Sequence, residues 1–189
     1  LDVRRHLARQ GDTRPEILYY LAEDEDPTVR RAVAANPGTP YQADRYLSGD
    51  VSEDVRRELA RKVARLLPNL TIGEQDRLRE RTIELIDILA QDQLAAVRRV
   101  LSEELKSSRN VPKPIVEKLA RDLDLIVSAP ILEYSPLLSD GDLLEIIATC
   151  QVEGAMAAIA RRNHLPDTVS EAIVATLDIP AVAALLANP

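Results

Sequence analysis

Phenylalanine and tryptophan are missing from this chain, and its five tyrosines are its only aromatic residues. A core without large rings is filled by Leu, Ile, Val and Ala, which suits thin, closely stacked helices better than a thick globule. Cys150 is the single cysteine, so an intrachain disulfide and a cysteine-ligated zinc or iron–sulfur centre are excluded. Lying in the apolar stretch Ile146–Cys150, it reads as a buried thiol and fits a cytoplasmic setting. His6 and His164 are the only histidines, and neither sits in a recognisable metal-ligand set. No apolar run reaches the roughly 18 residues of a membrane span, and no signal-peptide pattern opens the chain. The first residue is Leu1 rather than Met, so the N-terminus is expected to be processed, trimmed or cut from a longer protein. There is no glycine-rich phosphate loop, no G-x-S-x-G and no nucleophile–base pair. We therefore expect no enzyme activity, no cofactor and no metal.

What the chain does have is charge, unevenly placed. Its formal net charge is −7 over 189 residues. Residues 1–68 hold 12 basic and 12 acidic side chains, and residues 69–121 hold 10 and 9. Residues 122–189 hold 2 arginines against 10 acids, so the last third should repel nucleic acid.

It also has an internal repeat. Val3-Arg4-Arg5, Val29-Arg30-Arg31 and Val55-Arg56-Arg57 follow one another at intervals of 26 residues. In "DPTVRRAVAANPGTP" (26–40), Asp26 suits an N-cap and Pro27 the first helical turn. Val29, Ala32 and Val33 make one apolar face, and Asn36-Pro37-Gly38 ends the helix. A second short helix opens at Pro40 and carries Leu47, with a counterpart from Pro15 to Leu21. Tyr20-Leu21 with Tyr46-Leu47, and Asp24 with Asp50, keep the same interval. Two short helices in about 26 residues cannot bury their own apolar faces. Neighbouring units must stack, so the expected fold is all-α: an α-α superhelix, or solenoid.

The register then changes. Residues 53–67 read as one longer helix ending at Pro68. A long helix within 73–90, preceded by Gly73 and with Glu74 and Asp76 at its positive end, has no evident partner in the repeat. Its Leu85, Ile88 and Leu89 are expected to be buried, and its Arg77, Arg81 and Glu84 to face water. Val97-Arg98-Arg99 then returns 42 residues after Val55. Degenerate units follow, with Asn110, Asn163 and Asn188 as punctuation like Asn36, and both chain ends read as cuts through a repeat. We expect a first sub-stack over 1–68, an inserted connector over 69–96 and an acidic sub-stack over 97–189, together forming one solenoid domain.

"LAEDEDPTVRRAVAANPGTP" (21–40) resembles the leucine-rich repeat variant, a bacterial unit similar in style to HEAT repeats. Its Asp-Pro, Val-Arg-Arg and Asn-Pro-x-x-Pro marks are all present. The resemblance is specific over 1–62 and looser over 97–189. The whole chain, including "SPLLSDGDLLEII" and "IARRNHL", is also similar to an uncharacterised bacterial family of helical-repeat proteins. The resemblance implies an α-α superhelix and no assigned activity. Some leucine-rich repeat variant proteins carry an N-terminal cysteine cluster for iron–sulfur binding, and that cluster is absent here.

The candidate binding residues are Arg30, Arg31, Arg56, Arg57, Tyr20 and Tyr46. The arginines suit either a basic ladder for phosphates or a structural ladder in which each pairs with Asp2, Asp26 or Asp54. The tyrosines suit either a binding stripe or packing between units. "EDED" (23–26) and "SDGDLLE" (139–145) read as helix starts rather than calcium loops. The expected function is protein–protein interaction on a helical scaffold. A nucleic-acid-binding HEAT-like module using the arginines is the alternative, disfavoured by the acidic last third and the absence of Trp and Phe.

Overall fold

In the computed structural model, residues 1–70 and 76–188 are described, and every regular element among them is helical. Local signals start most of these helices. The Asp26 carboxylate accepts the Thr28 amide at 2.7 Å, and Pro27 occupies the first turn of its helix. Ser139 and Asp142 form a reciprocal capping box, and Asp178 accepts the Ala181 amide at 2.9 Å. Pro130 departs from the boundary rule: it lies inside a helix, where it removes one backbone donor.

By contact the chain divides into two compact units, Leu1–Leu101 and Ser102–Pro189. The first holds α1 (Asp2–Arg9), α2 (Pro15–Leu21), α3 (Pro27–Ala35), α4 (Tyr41–Leu47), α5 (Glu53–Leu66) and α6 (Asp76–Leu89). A single 3-10 turn at Leu67–Asn69 extends α5 past its last full turn. In this unit α3 packs between α1 and α5, while α2 touches α4 and α4 touches α6. Each helix of one row also packs on its chain neighbour in the other. The division falls within α7 (Ala95–Leu105) rather than at 69–96, and α6 belongs with α4 and α5.

The second unit holds α8 (Lys113–Ala120), α9 (Leu125–Tyr134), α10 (Asp140–Thr149), α11 (Ala155–Ala160), α12 (Asp167–Ala175) and α13 (Ile179–Ala187). Here α11 packs between α9 and α13, and α10 packs on α12. Gly154 begins α11 at φ +85°, and a Cβ there would lie 2.8 Å from the Leu125 side chain. The positive φ is what favours glycine here, since the Leu125 methyl could move aside.

The third residue of its helix is fully buried at Val29, Val55, Val97 and Val127. Each such valine removes enough apolar surface to favour folding by about 1.5–3 kcal/mol. Val3, expected to be equivalent, is instead 72% exposed.

The long helix also differs from expectation. Gly73 and Glu74 lie outside the described residues. Leu85 and Leu89 are buried, Arg77 and Glu84 are exposed, but Ile88 is only half-buried, and Ile86 is fully buried instead. Arg81 does not face open water: its guanidinium lies 4.8 Å from the Tyr41 ring centroid. α6 also ends on a sequence like those that end two other helices. Leu89-Ala90-Gln91-Asp92 ends it as Leu21-Ala22-Glu23-Asp24 ends α2 and Leu47-Ser48-Gly49-Asp50 ends α4. The four-residue signal Leu-small-x-Asp holds although the interval between valines has lengthened.

Candidate functional site

Asp24, Asp50 and Asp92 each fold back on the chain and accept the amide two residues on, at 3.0, 2.8 and 2.9 Å. This turn aims each carboxylate at an arginine. Arg4 meets Asp24 at 2.8 Å, Arg30 meets Asp50 at 2.6 Å, and Arg56 meets Asp92 at 2.5 Å. The Arg30 and Arg56 contacts are two-pronged, with second bonds of 3.0 and 3.2 Å. The guanidiniums of Arg30, Arg56 and Arg98 also donate to the carbonyls of Asp24, Asp50 and Asp92, at 2.7, 2.6 and 2.7 Å. Arginine and aspartate thus alternate along the unit. The hydrogen bonds that Arg30 and Arg56 donate to the Asp50 and Asp92 carboxylates raise the pKa of both guanidiniums still further.

The acids differ from those expected. Asp26 caps α3 rather than pairing with the ladder, and Asp54 reaches only Arg57, at 3.7 Å. Only Asp2 holds an arginine closely, Arg5 at 2.7 Å. Asp92 was legible as the end of a Leu-x-x-Asp signal shared with α2 and α4, and Asp122 after Leu119 repeats it. Arg31 lies outward, whereas Arg5 and Arg57 are half-buried. Arg31 reaches Glu58 at 3.3 Å, and Arg57 reaches Glu53 at 3.6 Å. Tyr20 and Tyr46 are both largely exposed, so packing between units does not account for them.

A second set of polar side chains ties helix ends together. The Asn36 amide donates to the carbonyls of Ala8 and Gln10, at 2.9 and 2.8 Å. Asn188 does the same to Ala160 and Arg162, at 2.9 and 2.7 Å. Asn163 does not belong to this set: it is exposed, and its neighbour Arg162 donates to the carbonyls of Leu132 and Ser135. Lys62, 26 residues after Asn36, donates to the Asn36 carbonyl at 3.2 Å.

Lys62 leads to a groove in the first unit. Its ammonium also meets Asp44 at 2.6 Å, with both side chains nearly buried. Burial pushes the Asp44 carboxyl up to about 6, against the attraction of Lys62. Burial likewise lowers the Lys62 pKa, against Asp44. Above this pair opens a groove of about 460 Å³ between the end of α3 and helices α4, α5 and α6. Val63, Leu66, Leu78 and Leu85 supply its apolar walls, and Arg61, Arg65 and Arg81 stand around it. Tyr41 fixes one side: its hydroxyl is hydrogen-bonded to Glu84, which raises the phenol's pKa, and its ring supports Arg81. None of these groove residues belongs to the Val-Arg-Arg motif except through the helices that carry it.

The remaining polar candidates are dispersed. Among the described residues no group of three or more His, Cys, Asp or Glu side chains could hold a metal ion. No described helix is long and apolar enough to cross a membrane. His164 has φ 58°, a left-handed turn conformation after α11. Cys150 is half-buried at the end of α10, more open than expected for a core thiol.

Comparison with known proteins touches only the second unit. Residues 127–189, one third of the chain, match a family described as uncharacterised protein conserved in bacteria, DUF2336. No curated protein and no solved structure matches the chain.

Proposed function

We propose that this chain is a non-enzymatic helical-repeat scaffold that binds another protein, built from stacked two-helix units in the manner of HEAT repeats or leucine-rich repeat variants. Three observations support the repeat: the recurring buried valines, the recurring Leu-x-x-Asp helix ends and the alternating Arg–Asp ladder. On this reading α6 fills an ordinary slot of an α-α superhelix whose unit is about 26 residues, with the extra length placed before it.

The observation that carries the choice of partner is the state of the arginines. Arg30 and Arg56 are only 12% and 13% exposed at the side chain and are bound to both a carboxylate and a backbone carbonyl. A guanidinium so placed is unavailable to a phosphate. Phosphate contacts dominate nucleic-acid affinity, so the basic-ladder alternative loses its principal groups. Tyr20, Tyr46, Arg31 and Arg57 remain on the surface as contacts for a polypeptide.

The test compares Arg30→Ala with Arg31→Ala. Arg30→Ala should lower stability by about 3–5 kcal/mol in urea unfolding, because it leaves Asp50 buried without its cation. Arg31→Ala should change it by less than about 1 kcal/mol. Anisotropy titrations of the whole chain with duplex DNA and single-stranded RNA should show no binding at micromolar protein in about 50 mM salt. Tight, salt-sensitive binding that Arg30→Ala weakens without loss of stability would reject the scaffold reading.

A further inference from the structure

We infer that the groove over Lys62 and Asp44 is a docking site for an acidic polypeptide segment that inserts one or two apolar side chains between α5 and α6. The inference rests on the scaffold reading and assigns it a site and a partner chemistry. Its first support is size. A groove of about 460 Å³ falls within the range of roughly 300–1,000 Å³ typical of ligand pockets. It suits the anchor side chains of a peptide rather than the face of a folded domain.

Its second support is the composition of the walls. Val63 and Leu85 are buried, but Leu66 and Leu78 are 36% and 46% exposed toward solvent. Burying them would favour association, because it removes apolar surface from water.

The third support is charge. The chain as a whole carries −7, yet among the described residues the groove is lined by four cations, Arg61, Lys62, Arg65 and Arg81, against two carboxylates, Asp44 and Glu58. Both carboxylates are already engaged: Asp44 by Lys62, and Glu58 by Arg61 at 2.9 Å. Arg81 has the Tyr41 ring beneath it, and among the described residues no carboxylate pairs with it. The ring supports the cation while leaving its outer edge for an incoming carboxylate. A basic segment would be repelled by Arg81, and a neutral one would leave it unmatched.

The probe is a fluorescein-labelled synthetic peptide of about twelve residues, alternating Glu and Leu pairs, titrated against the whole chain. Two controls accompany it: the same peptide with Lys for Glu, and sodium decanoate. The acidic peptide should bind, and should shift the backbone NMR signals of residues lining the groove. Arg81→Glu and Leu78→Glu should each weaken it by about tenfold or more. Arg14→Glu, which makes the same charge change on an exposed loop residue, should not. The spectra of each variant show whether it remains folded, and the shift map of the native chain stands independently of them. Equal binding of the lysine peptide, displacement by decanoate, or no binding at all overturns the inference. Shifts confined to Tyr20 and Tyr46 overturn it too, while leaving the scaffold reading in place.

Discussion

Arg30 and Arg31 are adjacent in sequence and lie in opposite environments, one 12% and the other 54% exposed at the side chain. A helix turns about 100° per residue, so only one of two neighbours can face the next pair of helices. The inward guanidinium is tolerable because five donors meet a two-oxygen carboxylate and a carbonyl. Lys62 and Asp44 form a less complete pair: the ammonium makes one bond to the carboxylate and one to the Asn36 carbonyl, in a setting that disfavours charge. The folded pKa of Asp44, about 6, is raised above the ordinary value of 3.8. The native state therefore holds this proton more tightly than the unfolded chain. The resulting contribution to stability is full below the unfolded value and is lost as pH rises through about 6. Between about pH 7 and pH 4, native protein should gain on the order of 3 kcal/mol relative to Asp44→Asn. Urea unfolding of both proteins across that range measures the difference. A gap independent of pH would mean that Asp44 is charged throughout.

At the scale of the element, the helices start by local chemistry and end by tertiary chemistry. Asp26, Ser139 and Asp178 cap within their own sequence neighbourhoods. The last carbonyls of α1, by contrast, are satisfied by Asn36, from a helix two elements later. Those orphan carbonyls cannot be met within the helix itself. Asn36→Ala should therefore cost about 1–3 kcal/mol, the penalty for leaving buried acceptors unmet. Asn163→Ala, at an exposed asparagine outside the set, should stay within about 0.5 kcal/mol of native. Thermal or urea unfolding of the two variants decides between them. Equal losses would restore Asn163 as a member of the series.

At the scale of the molecule, the chain divides into two compact units. The division at Leu101 and Ser102 cuts α7 near its middle, and Val97, Leu101 and Leu105 along that helix are all buried. A helix of eleven residues is marginal in water, since isolated helices shorter than roughly 12–15 residues form poorly. Separate fragments 1–101 and 102–189 should then show less helix together than the intact chain, by about the length of α7 or more. Far-UV circular dichroism of the mixture and of the whole chain makes the comparison. Equal signals would show that each unit supports its own part of α7.

The sequence by itself determined what short-range rules control. Asp26-Pro27, Ser139 and Asp178 mark helix starts because a cap needs only residues two or three positions away. Val29 and Val55 were legible as core because apolar spacing reports a helix face directly. It could not show that Val3 is exposed, because burial depends on what covers a face. Tertiary packing decided the rest. Arg30 chooses Asp50 over the nearer Asp26 because Asp26 is held by Thr28, while the turn at Asp50 aims its carboxylate at the guanidinium. Arg56 reaches 36 residues to Asp92 because α6 brings the same helix end to the same side, whatever the length of chain before it. The groove belongs to neither motif. Asp44, Lys62 and Arg81 share no spacing rule, and only the packing of α4, α5 and α6 sets a buried ion pair beneath a cation on a ring. Contacts between separate helices depend on lateral placement, which local periodicity does not encode.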